Sequence, residues 1–267
     1  MASGSFWLGK CVLITGASSG IGWALAEHLA RQGARLGLIA RRKEKLAELT
    51  GHIQSLGRKA AFAVADVTDP DQVDDAVRTL EHALGLTDVL IANAGMHKRA
   101  PGAVFNGSAA RAVIDVNVNG VINVIDSVLP SMVDRRSGHI VTIASIAAML
   151  GLPEAGAYCA SKAALVTLME SLRVDLHRYH IKVTTICPGF VETPLIAYHS
   201  RKELLFLLKP QEAADRIARA IARGKTEYWF PWPMWLLTRL GSLLPFAMYR
   251  KICEFFPRRL LSDTSEP

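Results

Sequence analysis

The chain has 267 residues, half of them apolar, which is enough to bury the core of one large α/β domain. Its formal net charge is +7, but the basic residues are scattered and form no stripe with interleaved aromatic residues, which argues against a nucleic-acid partner. The four cysteines lie far apart without a C-x-x-C pair, so neither a zinc site nor a disulfide framework is indicated.

The first ten residues, MASGSFWLGK, contain no basic segment followed by an apolar one, so we expect no signal peptide and a cytoplasmic protein. Short apolar segments then alternate with amphipathic ones. The predicted strands are CVLIT, RLGLIA, AAFAVA, DVLIAN, GHIVTIAS, IKVTTICPG and EYWF, and predicted helices cover 21–31, 43–56, 69–84, 158–179 and 210–223. Strands without polar alternation are covered on both faces, so the pattern predicts a Rossmann-type, doubly wound α/β fold with a mostly parallel, seven-stranded sheet.

The first predicted strand runs into the glycine-rich segment TGASSGIG, residues 15–22, and then into a helix. Glycines at 16, 20 and 22 suit a tight turn, a close backbone approach to a pyrophosphate and helix-on-sheet contact. Any strand-to-helix turn favours glycine, but the position directly after the first strand favours a dinucleotide site.

The second predicted strand ends in an arginine pair, Arg41 and Arg42, where an NAD site would place an acidic residue. A guanidinium binds a 2′-phosphate through charge-assisted, often bidentate hydrogen bonds, so the pair predicts NADP(H) as the cofactor. The alternative is a solvated arginine pair that opens the next helix, although helix N-termini disfavour cations.

A tyrosine and a lysine, Tyr158 and Lys162, stand four residues apart in the small, apolar segment AYCASKAAL. Residues at this spacing project from the same side of a helix, within reach of each other. A lysine charge beside a phenol favours the phenolate and lowers a pKa that is ordinarily about 10, which makes a usable acid or base. The alternative is a surface lysine beside a packed tyrosine.

Together these segments resemble the short-chain dehydrogenase/reductase family, over about residues 8 to 230. The matching segments, in family-like order and spacing, are TGASSGIG, ADVTD (65–69), ANAG (92–95), VNVNG (116–120), IVTIAS ending at Ser145, YCASK (158–162) and PGFVETP (188–194). One departure is Ala92, where the family often has a second asparagine, but Asn93 keeps the central one. The resemblance implies a single NADP-binding catalytic domain over 1–230, followed by a distinct tail, 231–267.

The resemblance also implies catalytic roles. Tyr158 would protonate a carbonyl oxygen during reduction, or deprotonate an alcohol in the reverse direction, and Lys162 would lower its pKa and bind the nicotinamide ribose. Ser145 would donate a hydrogen bond to the reacting oxygen, and Asn117 would kink its helix and hold a water that passes protons to Lys162. Without the resemblance, Ser145 would be a strand-end cap and Asn117 a half-buried helix residue.

The cofactor contacts carry over from the family in the same way, and no metal site is expected. The phosphates and the adenosine ribose would contact Gly16, Ser18, Gly20, Ile21 and Gly22, and the 2′-phosphate would contact Arg41 and Arg42. The adenine would lie beside Asp66 and Val67, and the ribose would contact Asn93, Ala94, Gly95, Tyr158 and Lys162. The nicotinamide carboxamide would be held by Pro188, Gly189, Val191 and Thr193. Two loop histidines near the same edge, His97 and His199, are taken as solvated and left out of the site.

The substrate side is expected in the segment PLIAYHSRKELLFLLKP, which in this family folds over the active site. Its apolar residues are Leu195, Ile196, Tyr198, Leu204, Leu205, Phe206 and Leu207, and it has no cluster of cations for an acidic substrate. It therefore predicts a lipophilic carbonyl or alcohol as substrate, unless these residues only pack on the domain. The competing hypothesis of another class is a non-catalytic NADP(H) sensor or scaffold, which would not need the acid Tyr158.

The tail combines aromatic residues and cations over 232–261. They are Trp232, Trp235, Phe246, Tyr249, Phe255 and Phe256, with Arg239, Arg250, Lys251, Arg258 and Arg259. The apolar run is too short and too broken to span a bilayer, but its composition suits a membrane interface. The tail therefore predicts peripheral membrane contact; the alternatives are a subunit-packing arm or a cover for the substrate cleft.

Homo-oligomerisation is the last expectation, since family members commonly pair through the helices that carry Asn117 and Tyr158. The apolar positions expected to face outward are Val121, Val124, Val128, Leu165, Leu168 and Leu172. A dimer or a tetramer is therefore expected.

Overall fold

The computed structural model describes residues 6–98, 105–197 and 204–255. Within these ranges, seven strands form one sheet in the order β3-β2-β1-β4-β5-β6-β7, and every neighbouring pair is parallel. The strands are β1 (Cys11–Thr15), β2 (Arg35–Ala40), β3 (Ala60–Val64), β4 (Val89–Ala92), β5 (Gly138–Ile143), β6 (Ile181–Pro188) and β7 (Glu227–Phe230). The predicted doubly wound, seven-stranded parallel fold is confirmed.

Helices connect the strands and cover both faces of the sheet. They are α1 (Gly20–Arg31), α2 (Lys43–Ser55), α3 (Pro70–Leu84), α4 (Gly107–Ile114), α5 (Gly120–Asp134), α6 (Gly156–His177), α7 (Pro210–Ala222), α8 (Trp232–Ser242) and α9 (Phe246–Phe255). Local chemistry sets their starts: the Asp69 carboxylate caps α3 by accepting from the Gln72 N–H, and Pro70 occupies the first helical turn. The predicted helix bounds agree to within two residues.

Two apolar cores lie on opposite faces of the sheet. One packs α1, α2 and α7 against side chains such as Ile14 and Leu38, and the other packs α3, α5 and α6 against side chains such as Leu13 and Leu90. Successive residues of β1 therefore feed different cores, which explains why the strand has no polar alternation.

The order in which successive strands are added to the sheet reverses at β1, which pairs with β2 on one side and with β4 on the other. In open parallel sheets the crevice at such a point, beyond the carboxyl ends of the strands, binds the ligand. The glycine-rich turn after β1 and the ANAG segment after β4 both lie at this point.

The helical stretch Gly107–Asp134 is long and apolar enough to cross a membrane by length and composition. It joins α4 to α5 through a π-helical turn, Asp115–Asn119, and its inward residues belong to the second core. This packing is that of a core helix.

The outward positions expected for subunit pairing are partly wrong. Side chains expected to face outward on α5 and α6 are buried in the second core, namely Val121, Val124, Val128 and Leu165. Leu168 and Leu172 are half-buried, whereas the exposed apolar residues on the two helices are Ile122 and Val174. The error arises because α5 and α6 pack across a broad apolar face, so most of their valines and leucines point inward.

Candidate active site

The glycine-rich turn is packed tightly against itself and against the segment after β4. A Cβ atom on Gly16 would lie 2.8 Å from the Ala94 Cα, and one on Gly22 would lie 2.5 Å from the Gly16 carbonyl oxygen. The Asn93 amide donates to the Thr15 carbonyl at 2.9 Å, and the Thr15 hydroxyl accepts from the Asn93 and Ala94 N–H groups. Only glycine fits these turns, which leaves a backbone cradle of the kind that binds a pyrophosphate.

The start of α1 lies against Thr193, in the segment after β6 that is expected to hold the nicotinamide. Gly20 has a φ of 58°, and a Cβ there would lie 2.9 Å from the Thr193 Cγ2. The preceding residue, Ser19, makes no side-chain cap to α1, and the first turn of the helix, which contains Ile21, holds no acidic residue. The amide end of α1 therefore faces the site without a carboxylate of its own, as a phosphate site requires.

The two arginines after β2 have different partners. The Arg42 guanidinium donates to the Ser18 Oγ at 2.9 Å and to the Ser19 Oγ at 2.8 Å, so it braces the glycine-rich turn. Arg41 is 73 % exposed and its Nη1 lies 3.4 Å from the Asp66 Oδ2. β2 itself ends at Ala40 and continues into the arginine pair, so the acidic residue of an NAD site is absent from the end of this strand, and the Asp66 carboxylate beside Arg41 belongs to the segment after β3.

Asp66 and Val67 follow β3 and take different positions. Burial acts to raise the pKa of Asp66, but hydrogen bonds from Thr68 and the charge of Arg41 outweigh it, so the pKa is lowered and the carboxylate stays charged. Val67 is buried, and a Cβ on Gly120 would lie 2.6 Å from its Cγ2. Asp66 is thus a partly exposed acceptor at the edge of the crevice, whereas Val67 anchors this loop on α5.

The tyrosine and the lysine both lie on α6. The Lys162 Nζ is 5.8 Å from the centre of the Tyr158 ring and donates to the Ile143 carbonyl at 2.9 Å. Lys162 is only 4 % exposed, and burial lowers its pKa to about 8. The alternative of a surface lysine is therefore wrong: this ammonium is held beneath the tyrosine, at the end of β5.

Asn117 occupies the middle of the π-helical turn and is fully buried, not half-buried. Its Oδ1 accepts from the Met96 N–H at 2.7 Å, and its Nδ2 donates to the Met96 carbonyl at 3.0 Å and to the Ser161 Oγ at 2.9 Å. A Cβ on Gly95 would lie 3.4 Å from the Asn117 Oδ1 and 3.5 Å from the Lys162 Nζ. The predicted kink is thus a π-helical turn, and it brings Asn117 and Lys162 to the same backbone turn.

Ser145 follows β5 and caps the 3₁₀ turn Ile146–Met149, since its Oγ accepts from the Ala147 N–H at 3.1 Å. The same hydroxyl lies 3.5 Å from the Pro188 carbonyl, a long contact that leaves its proton available. The capping role and the predicted catalytic role are therefore compatible.

His97 was left out of the predicted site, but the structure places its ring against Tyr158. The two ring centres are 5.0 Å apart and the planes meet at 69°, an edge-to-face contact. The sequence offered one usable signal, which is that His97 lies two residues after the ANAG segment at the carboxyl end of β4. His199 lies outside the described residues.

The end of β6 joins the site to the tail. Gly189 donates its N–H to the Phe230 carbonyl at 2.7 Å, and a Cβ there would lie 2.6 Å from the Met234 sulfur on α8. Pro188 pairs with Phe230 at the end of the sheet, and Val191 is buried and bridged to Leu208. The segment expected to hold a nicotinamide carboxamide is thus backed by the first helix of the tail.

The two tail helices also cover the loop that links Ser145 to Tyr158. A Cβ on Gly241 of α8 would lie 3.4 Å from the Leu150 Cδ2, and the Tyr249 hydroxyl of α9 donates to the Gly151 carbonyl at 2.5 Å. The inner face of the tail therefore packs on the loop between Ser145 and Tyr158. Phe256, Arg258 and Arg259 lie outside the described residues.

The segment expected to cover the substrate is described only in part. Leu195 and Ile196 are half-buried in the turn Pro194–Ile196, and Leu204 is buried. Leu205 and Phe206 are exposed, and Tyr198 lies outside the described residues. In the part of the chain that the structure describes, the His, Cys, Asp and Glu residues form no group of three that could hold a metal ion.

Comparisons with known proteins agree with this geometry. The family model described as short chain dehydrogenase matches residues 10–204. An uncharacterized oxidoreductase of Myxococcus xanthus is 38% identical over 240 residues, covering 90% of this chain and 94% of the relative. A fatty acyl-CoA reductase of Acinetobacter baylyi is 34% identical over 237 residues, covering 88% of this chain and 78% of the relative.

Among solved structures, a gluconate 5-dehydrogenase from Burkholderia cenocepacia, in complex with NADP and tartrate, superposes with a TM-score of 0.78. It is 31% identical, and the match covers 86% of this chain and 97% of that one.

Proposed function

The chain belongs to the short-chain dehydrogenase/reductase family, and on this premise we propose that it is an NADPH-dependent carbonyl reductase that acts on a lipophilic ketone. The observation that carries the proposal is the pairing of Tyr158 with the buried Lys162, close to Asn117. Lys162 donates to the carbonyl of Ile143, the last residue of β5, and Ser145 lies two residues further along the chain. Membership of the family makes the chain an oxidoreductase that uses a nicotinamide cofactor.

The cradle at Gly16 and Gly22 would hold the nicotinamide cofactor, which when bound would supply the hydride for the carbonyl carbon. The Tyr158 hydroxyl donates its proton to the carbonyl oxygen, and the positive charge of Lys162 favours the phenolate that remains. Ser145 donates a hydrogen bond to the same oxygen as negative charge develops on it. Asn117 holds the Met96 backbone through two hydrogen bonds. In the proposed mechanism it also holds a water that passes protons to Lys162, and the phenolate of Tyr158 would regain its proton by this route.

The preference for NADP(H) is supported by Arg41 and Arg42 and by Ala40 at the strand end. Arg42 already lies on the turn that would hold the phosphates, and Arg41 is mostly exposed beside Asp66, so both guanidinium groups can reach a 2′-phosphate at this corner. The backbone cradle at Gly16 and Gly22 suits the pyrophosphate.

The lipophilic substrate is supported mainly by this chain's own apolar residues in the segment after β6 and by the apolar tail packed beside that segment. The named relatives differ in substrate, since one is a fatty acyl-CoA reductase and another a gluconate 5-dehydrogenase. Leu195, Ile196 and Phe206 are the partly or fully exposed apolar residues of the segment expected to cover the substrate, and Met234 of the tail lies against Gly189 in the segment after β6. Burial of such surface favours an aliphatic or ring-bearing ketone over a sugar.

Two other functions follow from the same residues. Oxidation of a lipophilic secondary alcohol would use Tyr158 as a base; reduction is favoured because cytoplasmic NADP pools are usually kept reduced. A non-catalytic NADP(H) sensor would not require the set Ser145, Tyr158 and Lys162. The proposed setting is a cytoplasmic homo-oligomer, a dimer or a tetramer, that associates with a membrane surface through its tail.

The test is NADPH oxidation with ketones of graded chain length and ring number, alongside the matching secondary alcohols with NADP⁺. We expect turnover to rise with the apolar length of the ketone and to be low with hydroxylated sugars. Turnover of the alcohols alone would replace reduction by oxidation. Binding of NADPH without turnover of any compound would favour the sensor.

A further inference from the structure

The outer face of α8 and α9 is unusually apolar for a protein surface. Of eighteen exposed large apolar side chains in the described residues, eight lie within 232–252. They are Trp232, Leu236, Leu237, Leu240, Leu243, Phe246, Met248 and Ile252. Ordinary protein surfaces avoid contiguous apolar patches of this kind, so the face requires a partner.

This face is not the one that packs on the domain. On α8 the inward positions are Met234 and Gly241, which contact Gly189 and Leu150, whereas Leu236 and Leu243 lie on the opposite side of the helix. On α9 the hydroxyl of Tyr249 anchors the helix to the Gly151 carbonyl, and the exposed Phe246, Met248 and Ile252 lie on the two flanks of this tyrosine. The outer face therefore consists of the outward side of α8 together with these flanking side chains of α9, and it does not fold back onto the core.

Charge complementarity identifies the partner. The described part of the tail, 231–255, contains three cations, Arg239, Arg250 and Lys251, and a single carboxylate, Glu254. All four are exposed, and Glu254 pairs with Arg250 at 3.6 Å, so Arg239 and Lys251 remain beside the apolar face. Leucine and aromatic side chains next to exposed cations suit an anionic lipid surface, in which both kinds of side chain find their preferred surroundings.

The geometry limits the contact to the bilayer interface. α8 has 11 residues and α9 has 10, so each is about 17 Å long or less at 1.5 Å per residue, well short of a hydrocarbon core of about 30 Å. The exposed Leu152, next to Gly151, lies on the loop between Ser145 and Tyr158 and adds apolar surface where α9 contacts this loop. A bilayer resting on this surface would lie next to the loop that connects the proposed catalytic residues Ser145 and Tyr158.

We propose that the outer face of α8 and α9 docks on an anionic bilayer and so presents the substrate cleft to compounds dissolved in the membrane. The inference rests on the proposed membrane-associated setting of a lipophilic substrate, but not on the cofactor or the direction of the reaction. The proposed partner is a lipid surface, and the residues that contact it are the eight apolar residues together with Arg239 and Lys251.

The test is cosedimentation of the full chain with phosphatidylglycerol/phosphatidylcholine vesicles and with pure phosphatidylcholine vesicles. We expect binding to the anionic vesicles that salt weakens only in part, since the apolar contact is not screened. The double variant Leu240→Ser/Leu243→Ser should lower the partition coefficient by about tenfold or more, because two inserted leucines lose their apolar environment. The control Leu56→Ser/Leu86→Ser, which changes two exposed leucines elsewhere, should bind as the wild type does.

A second pair of variants tests the charge. Arg239→Glu/Lys251→Glu should abolish the preference for anionic vesicles, whereas Arg58→Glu/Lys59→Glu, the same change in charge at another exposed site, should weaken binding far less. NADPH binding of every variant verifies that it is folded.

Three outcomes would overturn the proposal: no binding of the full chain at low salt, equal losses in the tail and control variants, or a lower mass of Leu240→Ser/Leu243→Ser by light scattering without vesicles. The last would make the face a subunit interface. The proposed reductase can fail separately, because cosedimentation requires no turnover and ketone reduction can be measured without vesicles.

Discussion

The imidazole of His97 meets the phenol ring of Tyr158 edge to face, with the ring centres 5.0 Å apart. An edge-to-face aromatic pair contributes about 0.5–1.5 kcal/mol beyond the area that it buries, so this contact helps to fix the orientation of the proposed acid. His97 is half-buried and lies on the loop after β4.

Loss of this contact should slow the reaction without removing it. We expect His97→Ala to lower kcat/KM by about 2- to 10-fold, the range that the energy of one aromatic pair allows. His97→Phe keeps the ring but not its nitrogen atoms, and should restore most of the rate if His97 only positions Tyr158. A loss in His97→Phe as large as in His97→Ala would instead assign a proton-transfer role to the imidazole.

The arginines should separate the two nicotinamide cofactors. Arg41→Ala should raise the Kd of NADPH by about 10- to 100-fold and leave that of NADH nearly unchanged, because one charge-assisted bond to a phosphate is lost. Arg42→Ala should weaken NADPH binding as well, with a smaller loss for NADH, since Arg42 also braces Ser18 and Ser19. Titration calorimetry gives both constants.

Lys45→Ala is a suitable control for the arginines, because it removes an exposed cation on α2 that pairs with Glu48. It should change neither constant. Equal losses of NADPH and NADH binding in Arg41→Ala would show that Arg41 does not contact the 2′-phosphate.

Much of the fold could be predicted from the sequence, because each strand is a continuous apolar segment and each glycine turn marks a strand end. The catalytic set could be placed because Tyr158 and Lys162 share one helix face and the segments around Asn117 and Ser145 match a family pattern. The burial of Lys162 and the contact of His97 with Tyr158 could not be predicted, since both depend on residues distant in the chain packing at one point.

The tail shows the same limit from the other side. Its composition indicated an apolar partner, but a bilayer, a second subunit and the substrate cleft were all possible, and only the packing separates an inner face on Gly189 and Gly151 from an outer face that stays exposed. The prediction that the valines of α5 face outward was wrong for a related reason. An apolar helix that packs on a sheet and on neighbouring helices has few residues that face solvent.

A buried histidine should make the fold sensitive to acid. His139 on β5 is 3 % exposed, its Nε2 lies 2.8 Å from the Thr184 Oγ1, and its Nδ1 has no hydrogen-bond partner. Because Thr184 donates its own proton to the Lys225 carbonyl, the Nε2 carries the imidazole proton. Burial lowers the pKa of His139 to about 4, with a further contribution from the charge of Lys182.

The sign follows from proton binding. Between pH 6.5 and about 4 the unfolded chain protonates this histidine and the folded chain does not, so the free energy of unfolding falls as the pH falls. The loss should approach about 3 kcal/mol below pH 4. Denaturant unfolding at several pH values between 4 and 7 gives the free energy of unfolding as a function of pH. This free energy should change less steeply with pH in His139→Gln than in the wild type. An unchanged slope would refute the assignment, and His177→Gln, at an exposed position, is the control.

Subunit pairing should involve the exposed residues of α5 and α6. We expect at least a dimer by light scattering at micromolar protein, and Ile122→Glu/Val174→Glu should lower the mass, because buried charges at an interface are costly. The control is Leu56→Glu, an exposed leucine on another surface. A monomeric wild type would contradict the expected pairing.

In the proposed NADPH-dependent carbonyl reduction, Tyr158 donates the proton. The most direct test compares the wild type with Tyr158→Phe, measuring NADPH oxidation with the best ketone and NADPH binding by fluorescence titration. We expect Tyr158→Phe to bind NADPH with a Kd close to that of the wild type while turnover falls by about 10²- to 10⁴-fold, because only the proton donor is lost. Ketone reduction by Tyr158→Phe within a few-fold of the wild type would contradict it.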